Sequence, residues 1–245
     1  MPSALTAAYQ GELKRTRLAV AARVGANWKR MPDYRDDRIP AFLAASLPVV
    51  KAGQQRTIAL TSAYTAKKLG VPPVGLDVES IIDDIRGGVS ADEVYRRPFE
   101  TVWGAIYTIG IAAAIEKGLA RLQSTAEMDL AMSGRDSLLA FGRDSGSSDQ
   151  IVGWVRVADG GCCDFCQSID GAHTGPDEPQ PLHNRCGCTA DPITRSSGFS
   201  GPLLAVGEVV GTGVSAAVIE QHGELGPVIG AAGDNFAGPD DVLES

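Results

Sequence analysis

The sequence predicts an α+β fold that is predominantly α: a helical N-terminal domain, a small β-hairpin module that carries the cysteines, and a glycine-rich C-terminal arm. Apolar residues recur at helical intervals up to about residue 142, strand-like alternation first occurs at 151–157, and ten glycines fall within the last 53 residues. The predicted segments are a helical domain at 1–142, a polar linker at 143–150, a β module at 151–192 and an acidic arm at 193–245.

The first predicted element is an amphipathic helix that ends before Pro32. Its apolar positions recur every three or four residues and share one face: Leu5, Tyr9, Leu13, Thr16, Val20, Val24 and Trp28. Four basic residues are expected to point away from that face: Lys14, Arg15, Arg17 and Lys29. The exposed face could meet a partner helix, and the apolar stripe equally could only seal the protein's own bundle.

A second helix is predicted from about residue 41 to residue 69. Gly70 and the two prolines at 72–73 end the pattern, since glycine favours the left-handed conformation after a helix. Pro48 lies inside this helix and is expected to kink or split it, because proline removes a backbone donor and clashes with the preceding turn.

A further helical stretch follows a capping-box pattern, in which Ser90 precedes Glu93 by three residues. Pro98 suits the first turn of the long periodic segment that continues to about Phe141. Three glycines weaken this segment and predict that it divides into two or three helices: Gly110, Gly118 and Gly134.

The charge of the chain limits the classes of partner. The formal net charge is -8, which argues against a protein whose whole surface binds nucleic acid. The distribution is uneven, because residues 1–38 hold eight basic residues against four acidic ones, while residues 193–245 hold one against seven. The basic start could meet an acidic partner or a phosphate backbone, and a solvated helix face explains it equally well.

The sequence also predicts a compartment. No stretch approaches the roughly 18 consecutive apolar residues that a membrane span requires, and residues 1–30 contain no apolar core of a secretion signal. We therefore expect a protein that is made and kept in a cytoplasm and has no membrane partner. In that reducing compartment, clustered cysteines are metal ligands more often than disulfides.

All five cysteines lie within residues 162–188, and their spacing predicts a metal site. Cys163 and Cys166 form a Cys-x-x-Cys pair, and sixteen residues later His183, Cys186 and Cys188 form His-x-x-Cys-x-Cys. Zinc takes four nitrogen or sulfur donors in a tetrahedron, and two chelating pairs on either side of a loop supply them. The β module is therefore expected to be a zinc knuckle.

Five donors compete for four places around the zinc ion. The preferred set is Cys163, Cys166, His183 and Cys186, because the His-x-x-Cys spacing allows the same tight turn as Cys-x-x-Cys. Cys188 competes closely for either position in the second half of the site. Cys162 is expected to point away from its neighbour, and His173 lies in the connecting loop.

Two other interpretations of the cysteines remain open: a reduced buried cluster with a satisfied histidine, and a redox Cys-x-x-Cys, which usually lies at a helix N-terminus in a βαβ pattern. A catalytic zinc keeps an open position, whereas this site has more soft donors than it needs. No catalytic motif accompanies the cysteines. We therefore expect a structural zinc, which contributes about 10–16 kcal/mol of apparent folding free energy in small modules, and no enzyme.

These residues resemble a known family. Trp154 on the predicted strand, the Cys163 and Cys166 pair, Gly171 and the run at 182–189 are similar to the C-terminal motif of phage Mu F-like minor head proteins. The segment at 222–228 is similar to the branch found in phages of actinobacteria. The likeness is specific over about 151–192, moderate at 222–236 and architectural over the helices.

The resemblance implies a minor capsid protein of a tailed phage, needed for head morphogenesis and associated with the portal and inner head. It implies the portal and the major capsid or scaffold proteins as partners, and a virion head assembled in the host cytoplasm. The basic N-terminal region would be the place for a contact with packaged DNA. The 53 residues after Pro192 are too few for the effector domain of some relatives. Asn184 and Arg185 stand where the family usually has Pro and Asn.

Two alternative functions come from other classes. A zinc ribbon could bind nucleic acid, but residues 158–192 carry Arg185 as their only Lys or Arg among several acidic residues, which is the wrong sign for phosphate. A capsid-maturation hydrolase would need a catalytic motif. Trp154 and Phe165 are expected to form the core of the module around the knuckle.

Overall fold

The computed structural model is mostly helical, with small antiparallel sheets, which confirms the predicted α+β, predominantly α class. It describes residues 2–144, 151–183, 186–201, 203–204, 207–209, 217–222 and 226–231. The helices are α1 Ala4–Lys29, α2 Ile39–Leu69, α3 Val78–Asp84, α4 Ala91–Ile109, α5 Ile111–Asp144 and α6 Asp164–Ser168. The strands are β1 Ile151–Val157, β2 His173–Thr174, β3 Thr189–Thr194, β4 Gly207–Val209, β5 Ala217–His222 and β6 Gly226–Ala231.

Helix α1 follows the predicted apolar face, with one correction. Ser3 caps it by accepting a hydrogen bond from the Thr6 amide at 3.2 Å, and Val24 and Trp28 are fully buried. Arg17 does not point away from the buried face as predicted, since only 9% of it is exposed. Its guanidinium donates to a backbone carbonyl of the β module, which compensates for the loss of water.

Helix α2 passes through Pro48 as one element, so the predicted split does not occur. Pro48 is exposed, and water can therefore solvate the carbonyl that lacks its usual donor. Phe42 and Val50, on either side of the proline, are both buried in the helical core and hold the two turns in line. Gly70 ends the helix with φ of 70°, as the sequence predicts.

The long periodic segment divides once, at Gly110, whose φ is 82°. Ser90 caps α4 by accepting from the Glu93 amide at 3.2 Å, which confirms the predicted start of this helix. Pro98 lies well inside α4 rather than in a first turn. Gly118 and Gly134 lie within an unbroken α5, because both sit where this helix touches its neighbours closely.

The β module is a three-stranded antiparallel sheet in the order β2-β1-β3. β1 matches the predicted strand at 151–157. The predicted β-hairpin and knuckle also contain a short helix, since Cys166 belongs to α6 and Cys163 precedes it. The boundary predicted at residue 192 falls inside β3.

The predicted linker and arm are described only in part. Residues 143–144 complete α5, and 145–150 lie outside the described residues. Within 193–245, the described residues include the second antiparallel sheet, in the order β4-β5-β6, which the glycine-rich composition did not suggest. The rest of the described arm is the end of β3, a short 3₁₀ turn at Arg195–Ser197 and the chain leading to Leu204.

Buried side chains join the β module to both of its neighbours. Leu182 packs in a cluster with residues of α2, α3 and α5, and Trp154 packs in another cluster with Leu138 of α5. On the far side, Phe165 packs with Ile219 and Ile229 of the second sheet. Trp154 and Phe165 are thus buried as expected. The module shares its core with the helices instead of folding around a core of its own.

Among the described residues, no helix combines the length and the apolar character needed to cross a membrane.

Candidate metal centre

The first cysteine pair lies where β1 turns into α6. Asp159 organises this turn, since its carboxylate accepts from the Gly161 amide at 3.1 Å and its carbonyl accepts from the Cys162 amide at 3.3 Å. Cys163 is the residue before α6 and is exposed, whereas Cys166, in the first turn of the helix, is buried. The Cys-x-x-Cys spacing therefore places one thiol at the surface and the other inside.

The second group of donors comes from the turn that leads into β3. The Cys186 amide donates to the His183 carbonyl at 3.1 Å, which is the tight turn expected from the His-x-x-Cys spacing. Gly187 follows, and a Cβ at this position would collide with the carboxylate of Asp159. Glycine at 187 therefore lets the turn carrying Cys186 and Cys188 approach the turn that precedes α6.

The fold brings together all five predicted ligands. Their donor atoms form two triads, Cys163, Cys166 and His183 in one and Cys166, Cys186 and Cys188 in the other, with the atoms of each triad within 4.8 Å of one another. Cys166 belongs to both triads and lies at the centre of the cluster. All five cysteines are free thiols, so these donors could hold a metal ion.

The donor distances suit a tetrahedral zinc site. With bond lengths of about 2.3 Å to sulfur and 2.05 Å to nitrogen, neighbouring sulfur and nitrogen ligands of zinc lie about 3.6 Å apart. The Cys163 Sγ to His183 Nε2 distance is 3.7 Å. The corresponding Cys166 distance is 2.8 Å, so this side chain would move outward by under about 1 Å to accept the ion.

The buried sulfur atoms share protons. A hydrogen bond from Cys166, supported by the positive charge of Arg156, holds the pKa of Cys186 well below its ordinary value. The hydrogen bond with Cys186 raises the pKa of Cys166, and the hydrogen bond with Cys166 raises that of Cys188. A metal ion would replace the protons that hold these sulfur atoms together, since zinc binds thiolates.

The exposed thiol behaves differently. Burial works against the thiolate of Cys163, but the backbone hydrogen bond from Cys166 and the nearby ring of His183 bring its pKa below the ordinary value. Burial raises the pKa of Cys162, although Cys162 also shares a hydrogen bond with Cys188. Cys162 lies outside both triads.

Arg156, which the sequence analysis did not single out, lies at the bottom of the cluster. It is 2% exposed, and its Nη2 lies 3.3 Å from both Cys166 Sγ and Cys186 Sγ. Burial opposes its charge, but the cysteine sulfurs raise its pKa above the ordinary value. The alternation of β1 did indicate that Arg156 faces the protein interior. Residues two apart on a strand face the same side, and Arg156 shares that side with Trp154.

Arg17 of α1 also reaches the cluster. Its Nη1 donates to the carbonyl of Cys186, so a helix near the start of the chain touches a candidate ligand directly. Gln10 of the same helix donates to the Val157 carbonyl at 3.0 Å. Both contacts depend on tertiary packing, and no local pattern in the sequence indicates them.

A third contact between helices and module is centred on Asp191 of β3. Its carboxylate accepts hydrogen bonds from Tyr64, from Lys68 at 2.5 Å and from Thr6 at 3.3 Å. The ring of Tyr64 stacks on that of Tyr9, with centroids 4.1 Å apart. These groups fasten the edge of the sheet to α1 and α2.

His173 is not part of the centre. It lies on β2, outside both triads, and its ring meets that of Phe199 edge-on at 5.1 Å. His173 therefore lies on a short strand within the segment between the donor pairs, rather than in an irregular connecting loop.

A cavity of about 40 Å³ lies between the helices and the cluster. Three of the side chains that line it, Thr57, Arg156 and Gln180, carry a buried polar atom without a hydrogen-bond partner among the described residues. At roughly 10–15 Å³ for each water molecule, this space admits a few waters and is too small for an organic substrate.

The chain matches no known protein-family model, no curated protein and no solved structure. Its function is therefore inferred from the residues and the geometry of the centre, together with the motif likeness described above.

Proposed function

We propose that this protein is a minor capsid protein of a tailed phage, of the Mu F-like kind, in which a structural zinc ion fastens the β module to the helical domain. The observation that carries the proposal is the convergence of five soft donors at a point that helix α1 also reaches. The centre joins distant parts of the chain, which is the task of a structural metal site.

Zinc is the metal that this donor set fits best. Thiolate sulfur and imidazole nitrogen are its preferred ligands in structural sites, and four of them close the coordination sphere. Four of the five donors would fill it and leave no place for a substrate: they are drawn from Cys163, Cys166, His183, Cys186 and Cys188. The small size of the adjacent cavity agrees with a structural role.

The zinc would hold the module in place as well as folding it. Leu182, next to His183, is buried among apolar side chains of α2, α3 and α5. Arg17 binds the carbonyl of Cys186 from the other side. Ligation would fix the backbone at both residues, and it would thereby fix the surfaces that the helices contact.

The partners proposed are the portal and the major capsid or scaffold proteins, and the proposal for them rests on the Mu F-like motif. The corner between α4 and α5 offers such a protein an apolar surface, since Tyr107, Ile109 and Ile111 are exposed there and residues 101–115 carry no charge. The basic N-terminal region suits DNA less well, because Arg15 pairs with Glu12 and Arg35 pairs with Asp33.

Metal analysis of the purified full-length chain tests the centre. We expect one zinc per chain, lost in Cys166→Ser, whose sulfur belongs to both triads. Cys162→Ser is the matched control and should keep the metal, because Cys162 lies outside the triads. A metal-free wild-type protein with an unchanged near-ultraviolet circular dichroism spectrum would refute the zinc proposal, and a reversible Cys163–Cys166 disulfide in its place would indicate a redox pair.

The assembly role is tested separately, by the genes that flank this one and by association of their products. A portal gene immediately upstream and scaffold or capsid genes downstream are expected. The chain should then co-purify with the co-expressed portal protein, and a Tyr107→Ser, Ile111→Ser variant should lose that association while keeping its zinc. Flanking genes unrelated to phage heads would overturn the assignment even if zinc is present.

A further inference from the structure

The buried guanidinium of Arg156 has no acidic partner in the described part of the chain. Its contacts are the Pro181 carbonyl, 2.7 Å from Nη1, and the sulfur atoms of Cys166 and Cys186, each 3.3 Å from Nη2. The residue is 2% exposed, so water does not solvate its charge. A buried charge requires a countercharge, and the sulfur atoms are the groups in contact with it that can carry one.

Strand β1 and the loop after α6 hold the guanidinium in this place. The Arg156 amide donates to the Ala172 carbonyl at 2.7 Å, and its own carbonyl accepts from the Gly171 amide at 3.0 Å. Gly171 has a φ of 81°, which glycine adopts without strain. The backbone of Arg156 is therefore held on both sides, and its side chain points at the two sulfur atoms.

We propose that Arg156 is a positioning residue of the metal centre: it hydrogen-bonds the sulfur atoms of Cys166 and Cys186 and offsets their charge, which makes these two cysteines the fixed ligands. This inference rests on the proposed zinc centre. With Cys166 and Cys186 assigned, two of the four coordination positions remain. The candidates for these two positions are Cys163, His183 and Cys188.

Charge balance narrows the ligand choice further. Zinc with three thiolates and one neutral imidazole carries one net negative charge, which a single guanidinium cancels. Zinc with four thiolates carries two, and the single guanidinium in contact with Cys166 and Cys186 would offset only one of them. His183 is therefore a ligand, and one of Cys163 and Cys188 supplies the third sulfur.

Cobalt-substituted protein provides the test, because the sulfur-to-cobalt charge-transfer band reports on the sulfur atoms themselves. In Arg156→Met the band should move to lower energy, since the sulfurs lose a hydrogen bond and a positive charge. Zinc affinity, measured by competition with a chelator, should fall roughly 10–100-fold, as is typical when a partner of a metal ligand is removed. Arg156→Lys keeps the charge and should recover part of both changes.

Arg17→Met is the matched control. Arg17 is also a buried arginine that contacts Cys186, but through the carbonyl and not through the sulfur. The charge-transfer band of cobalt-substituted Arg17→Met should therefore stay at the wild-type energy. If Arg156→Met does not fold, the pair Arg156→Lys and Arg156→Gln decides, with weaker binding by Gln supporting the proposal and equal binding contradicting it.

The outcomes separate this inference from the proposed function. A wild-type protein that binds no zinc overturns both. A wild-type protein that binds zinc, with Arg156 variants that keep the same affinity and the same band, overturns only the role of Arg156. The ligand set is checked in the same series, because His183→Ala should lose binding, and of Cys163→Ser and Cys188→Ser only one should do so.

Discussion

Asp191 shows how much of the contact between helices and module depends on one side chain. Its carboxylate receives hydrogen bonds from Thr6, Tyr64 and Lys68, which come from two different helices. Hydrogen bonds to a charged group are roughly twice as strong as neutral ones, and their donors become costly when the acceptor is removed. The position is therefore sensitive although it belongs to neither metal triad.

We expect Asp191→Ala to lower the free energy of unfolding by about 2 kcal/mol, because Tyr64 and Lys68 would lose a partly buried acceptor. Urea denaturation of the zinc-loaded protein measures this. Asp37→Ala is the control: Asp37 forms ion pairs with Arg35 and Arg38 at the surface, and its loss should change the stability by less than about 0.5 kcal/mol. Equal effects would contradict the role given to Asp191.

Tyr9 makes the free energy of unfolding depend on pH in the alkaline range. Burial raises its pKa from 10.0 to about 12, because the phenolate would lose its hydration. Above the ordinary pKa the unfolded chain gives up this proton while the folded chain keeps it, so stability falls as pH rises from about 10 to about 12, by roughly 2–3 kcal/mol from Tyr9 alone.

Tyr9→Phe removes the ionisable group and should flatten this part of the pH profile. The variant loses the hydrogen bond to Thr61 and should be about 1 kcal/mol less stable at neutral pH, so the informative quantity is the slope. Urea denaturation at several alkaline pH values measures it. Parallel profiles for the wild type and the variant would show that Tyr9 does not keep its proton.

At the scale of elements, the glycines of α5 allow helices to approach closely. A Cβ at Gly118 would lie 2.6 Å from Val102 Cγ2 and 2.8 Å from the Pro98 carbonyl oxygen. Real Cβ atoms do not come that near, and the carbonyl belongs to a helix that cannot move aside easily. Packing α4 against α5 thus requires glycine here, although low helix propensity predicted a helix break at the same residue.

We expect Gly118→Ala to destabilise the protein by about 1–2 kcal/mol, because overpacking outweighs the gain in helix propensity. Gly104→Ala is the matched control, since Gly104 lies in α4 with no atom within 4 Å of the added Cβ. It should stabilise the protein by about 0.5–1 kcal/mol. Thermal unfolding gives both values, and a stabilising Gly118→Ala would contradict the close approach of the two helices.

The elements that could be predicted from the sequence are those with a long repeating pattern. Periodicity located α1, α2 and the α4 and α5 segment, and alternation located β1. Helix α6 has five residues, which is too short for a helical period to show. The second sheet was missed because its described core consists of few side chains, among them Ile219 and Ile229.

For the whole molecule, the cysteine spacing predicted the five candidate ligands, and the fold brings all of them together. The same patterns could not predict Arg17 and Arg156. Charged residues usually face water, so a sequence pattern assigns them to the surface. Arg17 is buried because it donates to a carbonyl 169 positions along the chain, and Arg156 because it contacts sulfur atoms 10 and 30 positions away. The period of β1 shows which face Arg156 shares, but it does not show these partners.

The shared core predicts that zinc and the helices stabilise each other. Leu182→Ala should cost about 2–4 kcal/mol in the zinc-loaded protein, because it leaves a cavity among Ile58, Met128 and Met132. The cost should be smaller after chelation, since a module without zinc makes this contact less often. The measurement is urea denaturation of the wild type and of Leu182→Ala, each with and without zinc. If the substitution lowers the free energy of unfolding equally with and without zinc, the metal and the helices do not stabilise each other.

The contact between Arg17 and Cys186 spans 169 positions of the chain, and this separation has a consequence in time. At about 5–20 residues per second, a ribosome needs roughly 10–30 s to add those positions. During that interval α1 has already been made while its acceptor does not yet exist. Zinc capture can therefore be completed only on a chain that has been synthesised beyond Cys186, after all the helices of the N-terminal domain have been made.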